Sequence, residues 1–530
     1  MYLIMSAAYV NQDLASEFGN IPPSFLPLGN KRLFQHQINR FDANSRIALS
    51  VPESYKLLDF DKEWLINKKI ELVFVPENIS LGASLCATIN LLDEFPSEEP
   101  LHILFGDTLV DDINSNENRI DIIGVSIPQD NYQWSRVDEN ENIDSMSKEP
   151  LTIKDEKIIN GYFRISKPLE LIRFITKAGW NFFDGLNLYK ENYYCAKKEF
   201  PEWLDFGHVN TYYNSKAKFT TQRAFNELSI TSDLVEKKSY KNNKKIKAES
   251  AWFKKLPESM RLYTPQYLGD SDINDVYSYK LEYLHYTSLN ELFVFSELPS
   301  LIWNKILKQC ILFIKKCYEF KCNEEEIDDE SLSEFINNKT MIRLQEYCSD
   351  KQISLNDMWN YNDEYSISLN ELISKVNSYL PKNNIDKTLI HGDFCFSNIL
   401  YDFRSDRIKT IDPRGITNRG ELSIYGDVRY DIAKLSHSII GLYDVILSGY
   451  YHVKIEGGNI RFKIQKQENT EIQDQFINVI KDDFGISKSN LIAMQIHLFL
   501  SMLPLHSDNK ERQDALFSNA FRLYKKLKDI

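Results

Sequence analysis

Cysteine is scarce and scattered in this chain: seven residues in 530 (Cys86, Cys195, Cys310, Cys317, Cys322, Cys348 and Cys395), an odd number with no CxxC pair. That usage argues for reduced thiols in a cytoplasmic compartment and against a zinc site. No run of about eighteen uninterrupted apolar residues occurs, so no membrane span is expected. The opening MYLIMSAAYV lacks the basic start of a leader and reads as a buried first strand. Basic charge is in deficit as well, with 63 Lys and Arg against 76 Asp and Glu and a formal charge of −13. A general nucleic-acid binder needs a basic surface to neutralise phosphates, and this composition does not supply one. The basic stretch at residues 237–247 reads as a solvated turn carrying one functional lysine.

What is present is the mix of a globular protein, 43% apolar and 26% charged, in a chain long enough for two or three domains. The most informative stretch is residues 391–415, HGDFCFSNILYDFRSDRIKTIDPRG. Leu389 and Ile390 lead into a turn at His391, Gly392 and Asp393; Asn398 lies five positions on, and a second apolar segment at 408–411 runs into Asp412. Two short strands joined by a polar hairpin bring Asp393, Asn398 and Asp412 to one end. Phosphoryl transfer from ATP needs such a set: a carboxylate for the attacking hydroxyl, and oxygen ligands that hold Mg²⁺ on the phosphates.

These residues resemble the catalytic segment of the aminoglycoside phosphotransferase and choline kinase superfamily, His-Gly-Asp with an asparagine five positions after the aspartate and a later Ile-Asp. The resemblance implies Asp393 as catalytic base, Asn398 and Asp412 as metal ligands, and His391 as a structural residue of the loop. Upstream, residues 225–239 read as two short antiparallel strands about a turn at Thr231, Ser232 and Asp233. Residues 245–257 follow as a helix ended by Pro257. A strand lysine followed by a helix glutamate is how kinases grip the α- and β-phosphates. Lys237 and Lys238 point to opposite faces, so only one can serve, with Glu249 as its partner. Residues 277–283 form a strand that resembles the linker between kinase lobes, where backbone groups at Glu282, Tyr283 and Leu284 would meet adenine. No glycine-rich phosphate loop is present. From residue 300 the chain reads as helices, including 303–318, 364–379 and 481–530, with Met494, His497 and Met502 as core residues. Asp431 reads as an anchor for the catalytic loop at a helix start, and Tyr443, Tyr450 and Tyr451 are candidates for the acceptor pocket.

The first two hundred residues alternate apolar strand patterns (2–8, 47–51, 70–75, 102–105, 120–125) with helical ones such as 84–92, which points to an α/β domain with a mostly parallel sheet and ligands at the carboxyl ends of its strands. LHILFGD at 101–107 is a buried strand ending in an aspartate, and WLDFGHVNTY follows at 203–212. This order resembles the nucleotidyltransferases that make nucleotide sugars and CDP-alcohols. The resemblance implies Asp107 and Asp205 as ligands of one Mg²⁺, Gly82, Ala83 and Ser84 near the nucleobase, and residues 161–164 in a late strand. It departs from the family after the first strand, where the loop lacks GxGxR and Ser24 follows Pro23 in place of the expected lysine. A serine cannot supply that charge; Lys31 and Arg32 are the nearby substitutes.

The expected architecture is α/β: a Rossmann-like nucleotidyltransferase domain (1–217), then a bilobal protein-kinase-like domain with N-lobe 218–285 and C-lobe 286–530. The expected activity is bifunctional and cytoplasmic. ATP phosphorylates a small alcohol, sugar or amino-alcohol, and a second nucleoside triphosphate, CTP among the candidates, is coupled to the product for surface-polysaccharide assembly. Two alternatives stay open: a kinase whose N-terminal domain only binds nucleotide or product, and a non-catalytic binding protein.

Overall fold

A computed structural model of the protein describes residues 1–530 apart from 43, 95–98, 112, 114–119, 129–131, 133, 138–142, 145–156, 224–227, 232, 240–242, 275, 323–330, 418 and 467–468. The chain is mixed α/β and divides into two compact units, one of residues 1–220 with 295–297, the other of residues 221–294 with 298–530. Ser232, expected in a turn, lies outside the described residues. Among the described residues no helix is long and apolar enough to cross a membrane.

The first unit is built on a sheet whose main path runs Ile143–Asp144, Arg136–Val137, Ile158–Ile165, Leu101–Phe105, Tyr2–Met5, Ile47–Pro52 and Ile70–Val75. Tyr2–Met5 pairs in parallel with both Ile47–Pro52 and Leu101–Phe105, and Ile158–Ile165 runs antiparallel to Leu101–Phe105. Leu3, Leu49, Val51 and Ile103 are fully buried, the continuous apolar pattern expected of parallel strands covered on both faces. The helices Leu81–Leu91, Pro168–Lys177 and Phe182–Lys190 pack on this sheet around Leu85, Leu171, Ile175 and Phe182. Asp107 lies just past the carboxyl end of Leu101–Phe105, where α/β sheets gather ligands.

In the second unit an antiparallel sheet runs Leu228–Ile230, Leu234–Ser239, Val276–Glu282 and Tyr267–Ile273. The helix Asn243–Lys255 lays its buried Trp252 and Phe253 beside it, Phe253 near the ring of Tyr279. The hairpin Ile399–Asp402 and Arg407–Thr410 follows the His-Gly-Asp turn. Around it stand the helices Ser300–Glu319, Leu332–Lys351, Val428–Ile439, Thr470–Phe484, Lys488–Met502 and Lys510–Lys528. Met494 and His497 are buried in the helical core.

Two sequence expectations change here. The helix expected over 364–379 starts only at Leu369, because the Ser368 side chain accepts from the Glu371 N–H and ends a strand, Tyr365–Ser368, paired with Met358–Tyr361. The region beyond residue 300 is also not all helical. Tyr451–Glu456 and Asn459–Ile464 form a hairpin about Gly457 and Gly458, both in the left-handed region, and complete a four-stranded sheet with the previous pair.

Phe163 is fully buried, its ring 5.6 Å from that of Phe105 and 5.2 Å from that of Phe182. Replacing it with alanine is expected to cost the first unit about 3–5 kcal/mol of stability, and with leucine much less. Denaturant unfolding of the two variants beside the parent chain measures both.

Candidate functional site

In the second unit the His-Gly-Asp segment is fixed by backbone chemistry before any side chain reaches solvent. Gly392 adopts φ +80°, and a Cβ there would stand 2.6 Å from Arg414 Cβ. The turn therefore needs glycine. The buried Asp431 carboxylate accepts the N–H of His391 (2.6 Å) and of Gly392 (2.8 Å). Burial pushes its carboxyl up to about 7 against those hydrogen bonds. The His391 ring lies 3.0 Å from the Ile411 carbonyl and accepts the Asp393 N–H, and burial lowers its pKa to about 4, which keeps it neutral.

This turn places Asp393 beside Asn398, whose side-chain amide donates to the Asp393 carbonyl (2.9 Å) and carboxylate (3.1 Å). Asn398 Oδ1 accepts from the Ser397 hydroxyl at a long 3.5 Å and is the oxygen of this side chain that could hold a metal ion. The Ile411 N–H donates to the Asn398 carbonyl at 3.0 Å, holding Asp412 next to Asn398 across the hairpin end. Asp412 itself adopts φ +57°, a left-handed conformation that non-glycine residues hold only under constraint. Its carboxylate meets the Lys237 ammonium, which also donates to Glu249 Oε2 at 3.1 Å. Burial works against the Lys237 charge, but Asp412 and Glu249 outweigh it and hold the pKa above the ordinary lysine value.

Glu249 is buried and accepts a further hydrogen bond from Tyr279 OH at 2.7 Å. Its helix is pinned by Gly415, at φ +61°, where a Cβ would stand 2.1 Å from the Ala248 carbonyl. Lys238 is not brought to this cluster; it pairs with Glu236 Oε2 at 3.0 Å, as strand alternation requires of its neighbour. At the expected adenine segment, the Glu282 N–H donates to the Gln266 carbonyl and the Tyr283 N–H to the Asp233 carbonyl, each at 2.9 Å. The Leu284 carbonyl accepts from Tyr286, so the Leu284 N–H is the donor this segment has to offer.

Lys434 was not singled out by sequence. Its ammonium lies 2.7 Å from Asp393 Oδ1. Burial acts to raise the Asp393 carboxyl, but Lys434, with Asn398, outweighs it and holds the group below the ordinary value. The signal was available: Lys434 stands three positions after Asp431, on the same helix face. Tyr279, directly opposite Lys237 in the strand register, was also not singled out, because that register is set by the fold and by no local spacing.

In the first unit Trp203–Asp205 pairs antiparallel with Thr108–Val110, Asp205 opposite Thr108, and the Phe206 N–H donates to the Asp107 carbonyl at 2.8 Å. This ladder brings Asp107 and Asp205 together. A Cβ on Gly207 would lie 2.7 Å from Asp107 Oδ2 and 3.5 Å from Asp205 Oδ1. Burial, then the Asp205 charge, raises the Asp107 carboxyl well above its ordinary value. Asp205 Oδ2 is buried and accepts no hydrogen bond among the described residues, with His208 Nδ1 3.9 Å away. Two neighbouring carboxylates, one of them with a buried oxygen that accepts no hydrogen bond among the described residues, fit a hard divalent cation that keeps waters and phosphate oxygens as its other ligands. Among the described residues no group of three or more His, Cys, Asp and Glu converges on a metal position. A cavity of about 300 Å³ lined by Trp134, Trp203, Asp205, Thr211, Ser215 and Lys218 opens beside Asp205.

The other first-unit residues fall elsewhere. Gly82 packs into the helix interface, where a Cβ would be 2.5 Å from the Trp180 carbonyl. Ala83 donates its N–H to the Ser80 cap, and Ser84 is buried with its carbonyl accepting from Thr88. Ser24 is fully buried, its hydroxyl donating to the Gly106 carbonyl at 3.1 Å. Arg32 is buried too, donating to the Phe25 and Phe295 carbonyls at 2.8 Å and pairing with Asp61 at 3.4 Å. It is held by the core and is no substitute for the absent lysine. Lys31 is exposed.

No protein-family model and no curated protein matches the chain. Among solved structures it is similar to HddC from Yersinia pseudotuberculosis (18% identity over 41% of this chain and 98% of that one, TM-score 0.31). A nucleotidyl transferase from Methanothermobacter thermautotrophicus aligns at 14% identity over 42% of this chain and 98% of its own, TM-score 0.29. An aminoglycoside phosphotransferase from Streptomyces rimosus, solved with ADP and streptomycin, aligns at 12% identity over 54% of this chain and 97% of its own, TM-score 0.31. The neighbours thus include both kinds of protein that the two halves of the sequence resemble.

The Tyr430 phenol, 3.0 Å from the Lys339 ammonium, gives a direct electrostatic readout next to Asp431, the anchor of the His-Gly-Asp turn. Burial would raise its pKa, but Lys339, Lys434 and Arg414 outweigh it and bring it down to about 8. Absorbance at 295 nm is expected to show a tyrosinate forming near that pH. In Lys339→Met the same transition moves to higher pH, because one stabilising cation is gone.

Proposed function

We propose that the second unit is an ATP-dependent phosphotransferase acting on a hydroxyl group of a small molecule, and that the first unit is a nucleotidyltransferase acting on the phosphorylated product. The observation that carries the first half is the Lys237 ammonium held between Glu249 and Asp412, with Asp393 and Asn398 hydrogen-bonded beside them. In this reading Lys237 contacts the α- and β-phosphates and Glu249 orients it. Asn398 Oδ1 and the Asp412 carboxylate are the metal ligands. Mg²⁺ bound there would neutralise charge on the phosphates. Asp393 orients the acceptor hydroxyl. Its oxygen forms a bond to the γ-phosphorus as the bond to ADP breaks, and the hydroxyl proton passes to Asp393 and on to solvent. The Leu284 N–H is the proposed adenine contact, and the bilobal kinase layout with lobes at 218–285 and 286–530 is part of the same reading.

For the first unit the carrying observation is the Asp107 and Asp205 pair at the carboxyl end of a parallel strand. These carboxylates would hold Mg²⁺ for a nucleoside triphosphate, CTP among the candidates, in a Rossmann-like domain. A phosphate oxygen of the product attacks the α-phosphorus, and pyrophosphate leaves. An activated group of this kind would serve surface-polysaccharide assembly. A second reading, in which this unit binds nucleotide or product without turning it over, is favoured by the buried Ser24 and Arg32, since neither offers a charge to the α-phosphate.

Phosphorus NMR with Mg²⁺, ATP, CTP and a pool of candidate acceptors separates these readings. A new phosphomonoester that disappears in Asp393→Asn, with a loss of about 10²–10⁴-fold in rate, is expected for the kinase. A pyrophosphate diester with free pyrophosphate, abolished in Asp107→Asn, is expected for nucleotidyl transfer. A phosphomonoester alone, whatever triphosphate is supplied, selects the second reading. Lys434→Met is expected to move the acidic limb of the kinase pH profile to higher pH, since the Asp393 carboxyl loses the cation that holds it down.

A further inference from the structure

When an acceptor proton passes to Asp393, the carboxylate loses its charge and the ammonium beside it loses its partner. That ammonium belongs to Lys434, 2.7 Å from Asp393 Oδ1. It stands on the helix Val428–Ile439, three positions after Asp431, whose carboxylate accepts the His391 and Gly392 N–H groups. One helix thus sets both the turn and the cation. Burial acts to lower the Lys434 pKa, but Asp393, then Tyr430 and Cys395, outweigh it and hold the group well above the ordinary lysine value. Among the described residues Asp393 is the one carboxylate paired with it. A largely buried ammonium is strongly destabilising once its counterion is removed, so protonation of Asp393 creates a demand for a second anion. The Lys434 side chain keeps 17% exposure and that of Asp393 41%, so neither is sealed from a ligand that reaches the carboxylate. An ammonium has three N–H donors, and Asp393 Oδ1 engages one.

We propose that Lys434 is a catalytic residue whose ammonium contacts oxygens of the phosphoryl group during transfer, exchanging the Asp393 carboxylate for the new phosphate ester as its partner. This rests on the kinase reading of the second unit and adds a cation at its reacting centre. A hydroxyl hydrogen-bonded to Asp393 brings the reacting phosphorus next to that carboxylate, and so next to the ammonium paired with it. The acceptor oxygen forms its bond to the γ-phosphorus. The bond from phosphorus to the bridging oxygen breaks, its electron pair leaving on ADP, and the hydroxyl proton goes to Asp393. The carboxylate charge is thereby neutralised while the phosphoryl oxygens, now joined to the acceptor, keep theirs. A cation that changes partner in this way acts on the transition state more than on bound ATP.

The test is calorimetric titration of the full chain with MgATP, and with MgADP in the absence and presence of aluminium fluoride, whose complex on ADP imitates the phosphoryl group in transfer. The parent is expected to bind MgADP at least about 100-fold more tightly with the fluoride. Lys434→Met should lose about 10²-fold of that gain with the Kd for MgATP within about threefold, and Lys434→Arg should recover most of it. Should Lys434→Met fail to bind MgATP, Lys434→Gln is read in its place. Asp393→Asn separates contact from orientation: its ammonium, without a carboxylate partner, is free for the phosphoryl oxygens, and the gain should be kept or enlarged. A gain unchanged in Lys434→Met, a gain lost as fully in Asp393→Asn, or a parent that binds MgATP yet gains nothing from the fluoride overturns the inference. MgATP binding that is lost in Lys237→Met upholds the nucleotide site independently, whereas no binding by the parent chain sinks the kinase reading and this inference with it.

Discussion

The second unit depends on one cation, the Lys237 ammonium between Glu249 and Asp412. A buried ammonium is costly to desolvate and is tolerated only with partners close by. Here the cation and its two partners come from three places in the sequence: a sheet strand, the helix that packs on that sheet, and the end of the hairpin that leads to Asp412. Each must be folded for the charge to be satisfied. The cluster therefore buys register between elements more than it adds stability. Gly415 enforces the same register sterically, since only a residue without a Cβ allows the Asp-Pro-Arg-Gly turn to approach the Ala248 carbonyl.

The first unit handles paired carboxylates in the opposite way. Asp107 and Asp205 face each other with His208 as a neighbour whose own pKa is raised chiefly by its interaction with Asp205. Burial then works against Asp107 carrying its charge, and repulsion from Asp205 adds to it. Asp412 has the Lys237 ammonium as its partner, whereas Asp107 has a second carboxylate as its neighbour, and burial with that neighbour's charge pushes its carboxyl up. The first site is thus the more demanding of a cation, and the second is the more completely assembled by its own side chains.

Much of this was legible in the sequence, for reasons that differ from residue to residue. Asp393, Asn398 and Asp412 are close in sequence, so a turn and a hairpin suffice to gather them. Lys237 could be separated from Lys238 only by knowing which face of the strand the helix covers, which alternation leaves open. Asp107 and Asp205 are joined by a short antiparallel ladder that no local pattern announces. Ser24 marked the absence of a lysine, but its burial against Gly106, like that of Arg32 against Phe25, depends on packing that a linear reading cannot rebuild. The hairpin at Gly457 and Gly458 was readable from its alternation and was hidden by the helices around it, and the late start at Leu369 turned on one serine cap.

Lys434 changes how Asp393 should be understood. A carboxylate held below its ordinary pKa is a poor base, which would be a defect if the acceptor proton had to be removed early. Phosphoryl transfer through a loose transition state makes little nucleophilic demand, so the proton can stay on the acceptor oxygen until the new bond is well advanced. Orientation then matters more than basicity, and an ion pair that fixes the carboxylate in place serves orientation.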